Sequence, residues 1–176
     1  TSCVKCHGKK FQGVWEETSK ELEEALRKMD GKVEAARAAV AASTGPATGL
    51  ARKAVERAGH LARFVRQGKG EHNVYLAATA LRQAEDELDK VAAGLGVALP
   101  DLSDEPLVSG SFCATMCHQT VGVKVPPETV RAFGKPMPHK QHTELMGCRK
   151  CHDLGGHKRV PLKKNVRAAV CSECHN

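Results

Sequence analysis

The chain is short of the residues that fill ordinary protein cores. Its 176 residues include one Trp, one Tyr and four Phe, which is little aromatic bulk for the one or two small domains that this length suits. No stretch approaches the ~20 consecutive apolar residues that a membrane-spanning helix needs. An initiator Met and a signal peptide are also absent, so the chain is expected to be a mature form or a fragment of something longer. Negative charge is in deficit: 27 Lys and Arg stand against 20 Asp and Glu, a formal charge of +7. Such an excess ordinarily points to nucleic acid or an anionic membrane. With so few aromatics, however, there is no platform for base stacking, and a nucleic-acid partner is not expected.

What the chain does have is cysteine and histidine in a fixed order. All eight cysteines fall into four pairs, and a histidine follows each pair at once: Cys3, Cys6 and His7; Cys113, Cys117 and His118; Cys148, Cys151 and His152; Cys171, Cys174 and His175. Two thiols three residues apart can each add across a haem vinyl group, and the next residue then brings an imidazole under the iron. The second pair has one extra residue between its cysteines and is expected to form a looser loop. Zinc also uses paired cysteines, but it does not require a histidine directly after each pair. Disulfides would leave the four histidines without a role, and cysteines this close in sequence bridge poorly. The motifs therefore imply four covalently bound haem c groups, those of a cytochrome c. Two propionates on each would add about eight negative charges, so the excess of cations reads as compensation for the cofactor. The lysines and arginines at 9, 10, 158, 159, 163 and 164 are read in the same way, as a solvated face.

Ligand supply bears on function. Of nine histidines, His7, His118, His152 and His175 are proximal by position, leaving His60, His72, His139, His142 and His157 for four distal places. The expected distal set is His72, His139, His142 and His157. His139 and His142 stand three apart, so on one helical turn they share a face and can reach two different irons. His157 follows its motif too closely to pass over its own porphyrin, and a neighbouring haem is the better destination. His72 precedes a helix start, where its ring can project. His60, beside Leu61 and expected to be partly buried, is the runner-up for the first haem. With histidine plentiful, Met137 and Met146 are read as packing residues.

The long gap between the first and second motifs reads as helix. Leu22, Leu26, Met29, Val33, Ala36 and Val40 recur at steps of three and four within 16–43, one apolar stripe on a helix ~40 Å long. Ala51, Ala54, Ala58, Leu61 and Val65 repeat the pattern over 47–67, and Val74, Ala77, Leu81, Ala84, Leu88, Val91 and Leu95 do so after Asn73, a suitable N-cap. Short glycine-bearing turns between them predict an antiparallel three-helix bundle. The pattern breaks near residue 100, which divides the chain into 1–100, carrying the first motif and the bundle, and 101–176, with three motifs. Prolines through the second part predict loops and short helices around haems, so the fold class is mainly α with little or no β-sheet.

On these residues the C-terminal part, with His139 and His142 ahead of a haem motif and three motifs close together, resembles the class III multihaem cytochromes c. In that family a similarly placed histidine pair supplies distal ligands to two haems. The helical part, with Glu71, His72, Asn73, Val74 and Tyr75 opening a long helix, is similar to the C-terminal helices of the pentahaem nitrite reductase and octahaem cytochrome group. There a histidine in this context is a distal ligand, which favours His72. The chain departs from class III in its inserted bundle and in the spacing of Cys113 and Cys117. If all four irons carry two histidines, none has an open position, and an electron carrier of low potential is expected rather than an enzyme. Its partners would be other redox proteins, and haem attachment in this class places it in the periplasm or outside the cell. The alternatives are a reductase of nitrite, hydroxylamine or sulfite with one open iron, and a subunit of a larger haem filament or complex.

Overall fold

An apolar side chain every three or four residues needs a second surface to cover it, and three consecutive segments of this chain cover one another. The computed structural model describes residues 8–156 and 160–175, so Cys3, Cys6, His7 and His157 lie outside the described residues. Helix α1 (Val14–Ala42) follows Gly13, whose φ of 84° turns the chain into it, and Glu16 and Glu17 in its first turn suit the positive end of the helix dipole. All six residues of its predicted stripe are buried. Helix α2 spans Thr48–Gln67 and α3 spans Val74–Leu95. The Asn73 carboxamide accepts the Leu76 N–H at 3.0 Å as the predicted N-cap, and Gly96, at φ 65°, closes the other end.

Each helix packs against the other two. Their directions follow from the side chains that meet. Arg66 of α2 reaches Asp30 of α1 at 2.6 Å, while Arg37, further along α1, lies over Gly59, earlier on α2. Arg57 pairs with Glu87 on α3, and Lys32 of α1 bonds Glu85 of α3 at 2.7 Å. The bundle therefore runs up, down and up. At the turn between α2 and α3 a Cβ on Gly70 would lie 2.9 Å from Ala77 and 3.0 Å from Leu22 and Val65, one contact on each helix. Only glycine lets the chain turn there.

The apolar face of α2 differs from expectation by one position. Val55, Ala58 and Ala62 are buried and Leu61 is only half-buried, and α1 packs against Gly59, where a Cβ would lie 3.3 Å from the Arg37 guanidinium and 3.7 Å from Val33. His60, expected to be partly buried, is exposed as a result. The bundle also reaches past residue 100. Gly13–Val108 forms one compact unit, and the chain up to Gln12 with that from Ser109 onward forms the other. Leu102 and, on the short helix α4 (Pro106–Ser109), Leu107 and Val108 are buried. The Leu102 N–H donates to Glu85 at 3.1 Å, and Arg82 donates to the Leu107 carbonyl at 3.3 Å.

From Ser109 the second unit is built of short elements. A π-helical turn at Cys113–His118 comes first, followed by an antiparallel hairpin of β1 (Val130–Ala132) and β2 (Lys135–Met137). Helices α5 (His139–Leu145), α6 (Cys148–Cys151) and α7 (Val166–Ala169) and a 3-10 turn at Cys171–Glu173 complete it. The fold is mainly α, and this hairpin is the one sheet among the described residues.

Two predictions follow from the bundle. Gly31 is an exposed glycine inside α1 with open space where a Cβ would go, so Gly31→Ala is expected to raise stability by roughly 0.5–1 kcal/mol, read as a higher melting temperature. Lys32 and Glu85 are 2% and 0% exposed. Lys32→Met, which strands the buried carboxylate, is expected to cost about 3–5 kcal/mol in denaturant unfolding, and Lys32→Met combined with Glu85→Leu to recover most of the loss.

Candidate metal centres

Each described cysteine motif closes on itself through the backbone. In the third, the His152 N–H donates to the Cys148 carbonyl at 2.9 Å, and in the fourth the His175 N–H donates to Cys171 at 2.8 Å. An i to i+4 closure sets each histidine one turn beyond its first cysteine. The second motif has one residue more, and here the expected looser loop gives way to a π-helical turn set inside a helix over 111–120. A π turn closes on i+5, one residue wider than an α turn. The inserted residue is absorbed in the winding, so His118 stands one turn after Cys113, as His152 does after Cys148. Thr115 Oγ1, donating to the Ser111 carbonyl at 3.0 Å, lies on the exposed side of this turn.

No disulfide joins the described cysteines. Burial raises the thiol pKa of Cys117 and Cys148, and that of Cys151 by burial first and then by the nearby Cys171. Among the described residues no three His, Cys, Asp or Glu side chains gather as a metal-ion site.

Histidines meet in pairs instead. The rings of His139 and His152 have centres 6.0 Å apart with planes crossed at 77°, and those of His142 and His175 also have centres 6.0 Å apart, with planes inclined at 32°. Metal–imidazole bonds of about 2 Å on either side of one ion give a ring-to-ring distance of roughly 6 Å. Each pair thus unites a histidine that ends a cysteine motif with one from α5. The i, i+3 placement of His139 and His142 puts both on one side of that helix, as the spacing predicts.

The backbone orients one ring in each pair. The Pro138 carbonyl accepts from His142 Nδ1 at 2.9 Å, and the Val160 carbonyl accepts from His152 Nδ1 at 3.0 Å. A proton held on Nδ1 leaves the Nε2 lone pair available to a metal. Val160 is brought there by the chain doubling back after α6. Asp153 N–H donates to Pro161 and Lys163 N–H to Cys151, both at 2.9 Å, and His152 bridges to Leu162. The hairpin delivers Pro138. Its two-residue turn has Phe133 at φ 53° and Gly134 at φ 80°, the geometry that matches strand twist, and Arg167 covers the Phe133 ring at 5.8 Å. Neither carbonyl was identified from the sequence. Pro138, four residues before His142, was the available signal.

The other candidates stand elsewhere. His118 ends the π turn, half-buried. His72 is exposed at the start of α3, its ring edge-on to Trp15 with centres 4.8 Å apart, a neighbour that sequence reasoning missed. His60 faces outward on α2.

The same unit is poor in core. Among its described residues Phe112 and Val166 are the buried apolar side chains, while Val121, Val123, Phe133, Leu145, Val160 and Leu162 are exposed, Leu145 to 81%. Two histidines per pair, with exposed Val160 and Leu162 beside His152, suit a metal whose other positions come from a planar organic macrocycle, and the donor set of paired thiols and imidazoles fits haem c. No family model, curated protein or solved structure matches the chain.

Proposed function

We propose that the chain is a multihaem c-type cytochrome that passes electrons between redox proteins through irons ligated by two histidines. The observation that carries this reading is the pairing of His152 with His139 and of His175 with His142, each at 6.0 Å. Cys148 and Cys151 would hold one haem, Cys171 and Cys174 a second, and Cys113 and Cys117, with His118, a third. The motif of Cys3, Cys6 and His7 accounts for the fourth. When bound, each haem supplies one iron that cycles between the ferric and ferrous states.

The residues of the chain set the conditions of that exchange. Two histidines on one iron would leave it no open position for a small molecule, which favours electron transfer over reduction of a substrate. Histidine in place of a thioether holds the potential low. The carbonyls of Pro138 and Val160 keep two of the rings in place, so that little reorganises when the charge on the iron changes. The exposed apolar side chains near the motifs would lie against porphyrin. Attachment of haem to cysteine takes place outside the cytoplasmic membrane, so the periplasm or cell exterior is the proposed location, and other redox proteins are the proposed partners.

The test is to mature the chain in a host that attaches haem c, then record its intact mass and its optical spectra with and without carbon monoxide or nitrite. Four added haem masses and low-spin spectra that ignore both ligands are expected. A ligand-binding, high-spin fraction would make a reductase the better reading, and a chain carrying no haem would end the proposal. The π turn yields a second prediction. Deleting Thr115 leaves Cys-Ala-Met-Cys-His, which an ordinary α turn accommodates, so the variant is expected to keep four haems by mass. A drop to three would show that the wide turn is itself required for attachment.

A further inference from the structure

The two histidine pairs share one ring separation and differ in twist, 77° for His139 with His152 and 32° for His142 with His175. One ring of each pair is held by the backbone, His152 by the Val160 carbonyl at 3.0 Å and His142 by the Pro138 carbonyl at 2.9 Å, and the partner ring of each pair sets the angle against it. An imidazole donates π density into the iron d orbital perpendicular to its own plane. Two rings close to parallel raise the same orbital and separate it widely from its partner, whereas crossed rings raise both orbitals and leave them nearly equal. The first arrangement stabilises the electron hole of ferric iron more than the second. Burial acts in the same direction. Both His139 and His152 are half-buried, whereas of the other pair His142 is half-buried and His175 exposed, and a drier site disfavours the more charged ferric state.

We infer that the chain holds two unequal irons, and that the one between His139 and His152 accepts an electron before the one between His142 and His175. The inference rests on the haem reading above. Each step adds one electron from an added reductant such as dithionite and turns one ferric iron ferrous, with no bond made or broken at the chain. The unequal pair gives electron flow in this unit a direction, from the exposed fourth motif toward the half-buried third.

Electron paramagnetic resonance of the oxidised, haem-loaded protein tests this, with His139→Met and His142→Met beside the parent and intact mass confirming equal haem content. Methionine keeps each iron six-coordinate, so the variants are not merely broken. His139→Met is expected to remove a single-feature, large-g signal of the crossed type, and His142→Met a rhombic three-line signal. In a stepwise reductive titration of the parent, the large-g signal is expected to vanish at the higher potential. Loss of a rhombic signal in His139→Met, or reduction in the opposite order, would overturn the inference while leaving the haem reading intact. Absence of haem by mass would remove both.

Discussion

A polypeptide unit must bury apolar surface to offset the conformational entropy lost on folding, and from Ser109 onward the described side chains bury very little. Phe112 and Val166 are the buried apolar residues in that stretch, far fewer than an independent domain of its length needs. The bundle shows the contrast within the same chain. Its helices interleave aliphatic and alanine residues through a continuous seam. The second unit instead spends its sequence on backbone closures, a hairpin and glycines. At Gly110, φ 89°, a Cβ would meet Leu154 at 2.7 Å. On the proposed reading, porphyrin is the missing interior, and the scarcity of Phe, Tyr and Trp follows from it.

The histidine pairs carry the same logic to the atomic scale. On the proposed reading a ring can ligate only if its nitrogen points the right way, and for one ring of each pair a main-chain carbonyl, less easily lost to mutation than a side-chain partner, holds it. That choice explains why the segment after α6 doubles back. Without the return of 160–163 along Cys151 and His152, no carbonyl would reach the His152 ring. The hairpin does the equivalent task for α5, ending at Pro138, the residue just before the helix, whose carbonyl accepts from His142 Nδ1.

Legibility in the sequence divided along the same line. Helices α1 and α3 were readable almost to the residue, because a stripe such as Leu22 to Val40 or Ala77 to Val91 is a local pattern with one low-energy solution, and Asn73 marks its start chemically. For α2 the pattern points to Leu61 where the buried residue is Ala62, since alanine carries little hydrophobic signal and the packing at Gly59 depends on a second helix. The reach of the bundle to Val108 was hidden for a related reason: Leu102 is held by a hydrogen bond to Glu85, seventeen residues away, and no periodicity records that. In the second unit the cysteine motifs were legible as chemistry, but the pairing of histidines was not. It depends on how the loops return, which the i, i+3 spacing of His139 and His142 constrains without deciding.

The extra residue of the second motif sharpens that distinction. In the sequence it is a defect in a spacing rule, and a loop is the natural expectation for it. On the proposed reading, two thiols and an imidazole must stay on one side of a porphyrin ring, and a loop would cost the three groups their mutual register. Winding the turn wider restores it, at the cost of weaker stacking along the helix axis. The neighbouring third motif achieves the same disposition with an α turn and one residue fewer. On the proposed reading, the π winding between Cys113 and His118 keeps the angular position of the three groups around the helix close to that of a motif one residue shorter. The number of residues separating them is free to change with the winding.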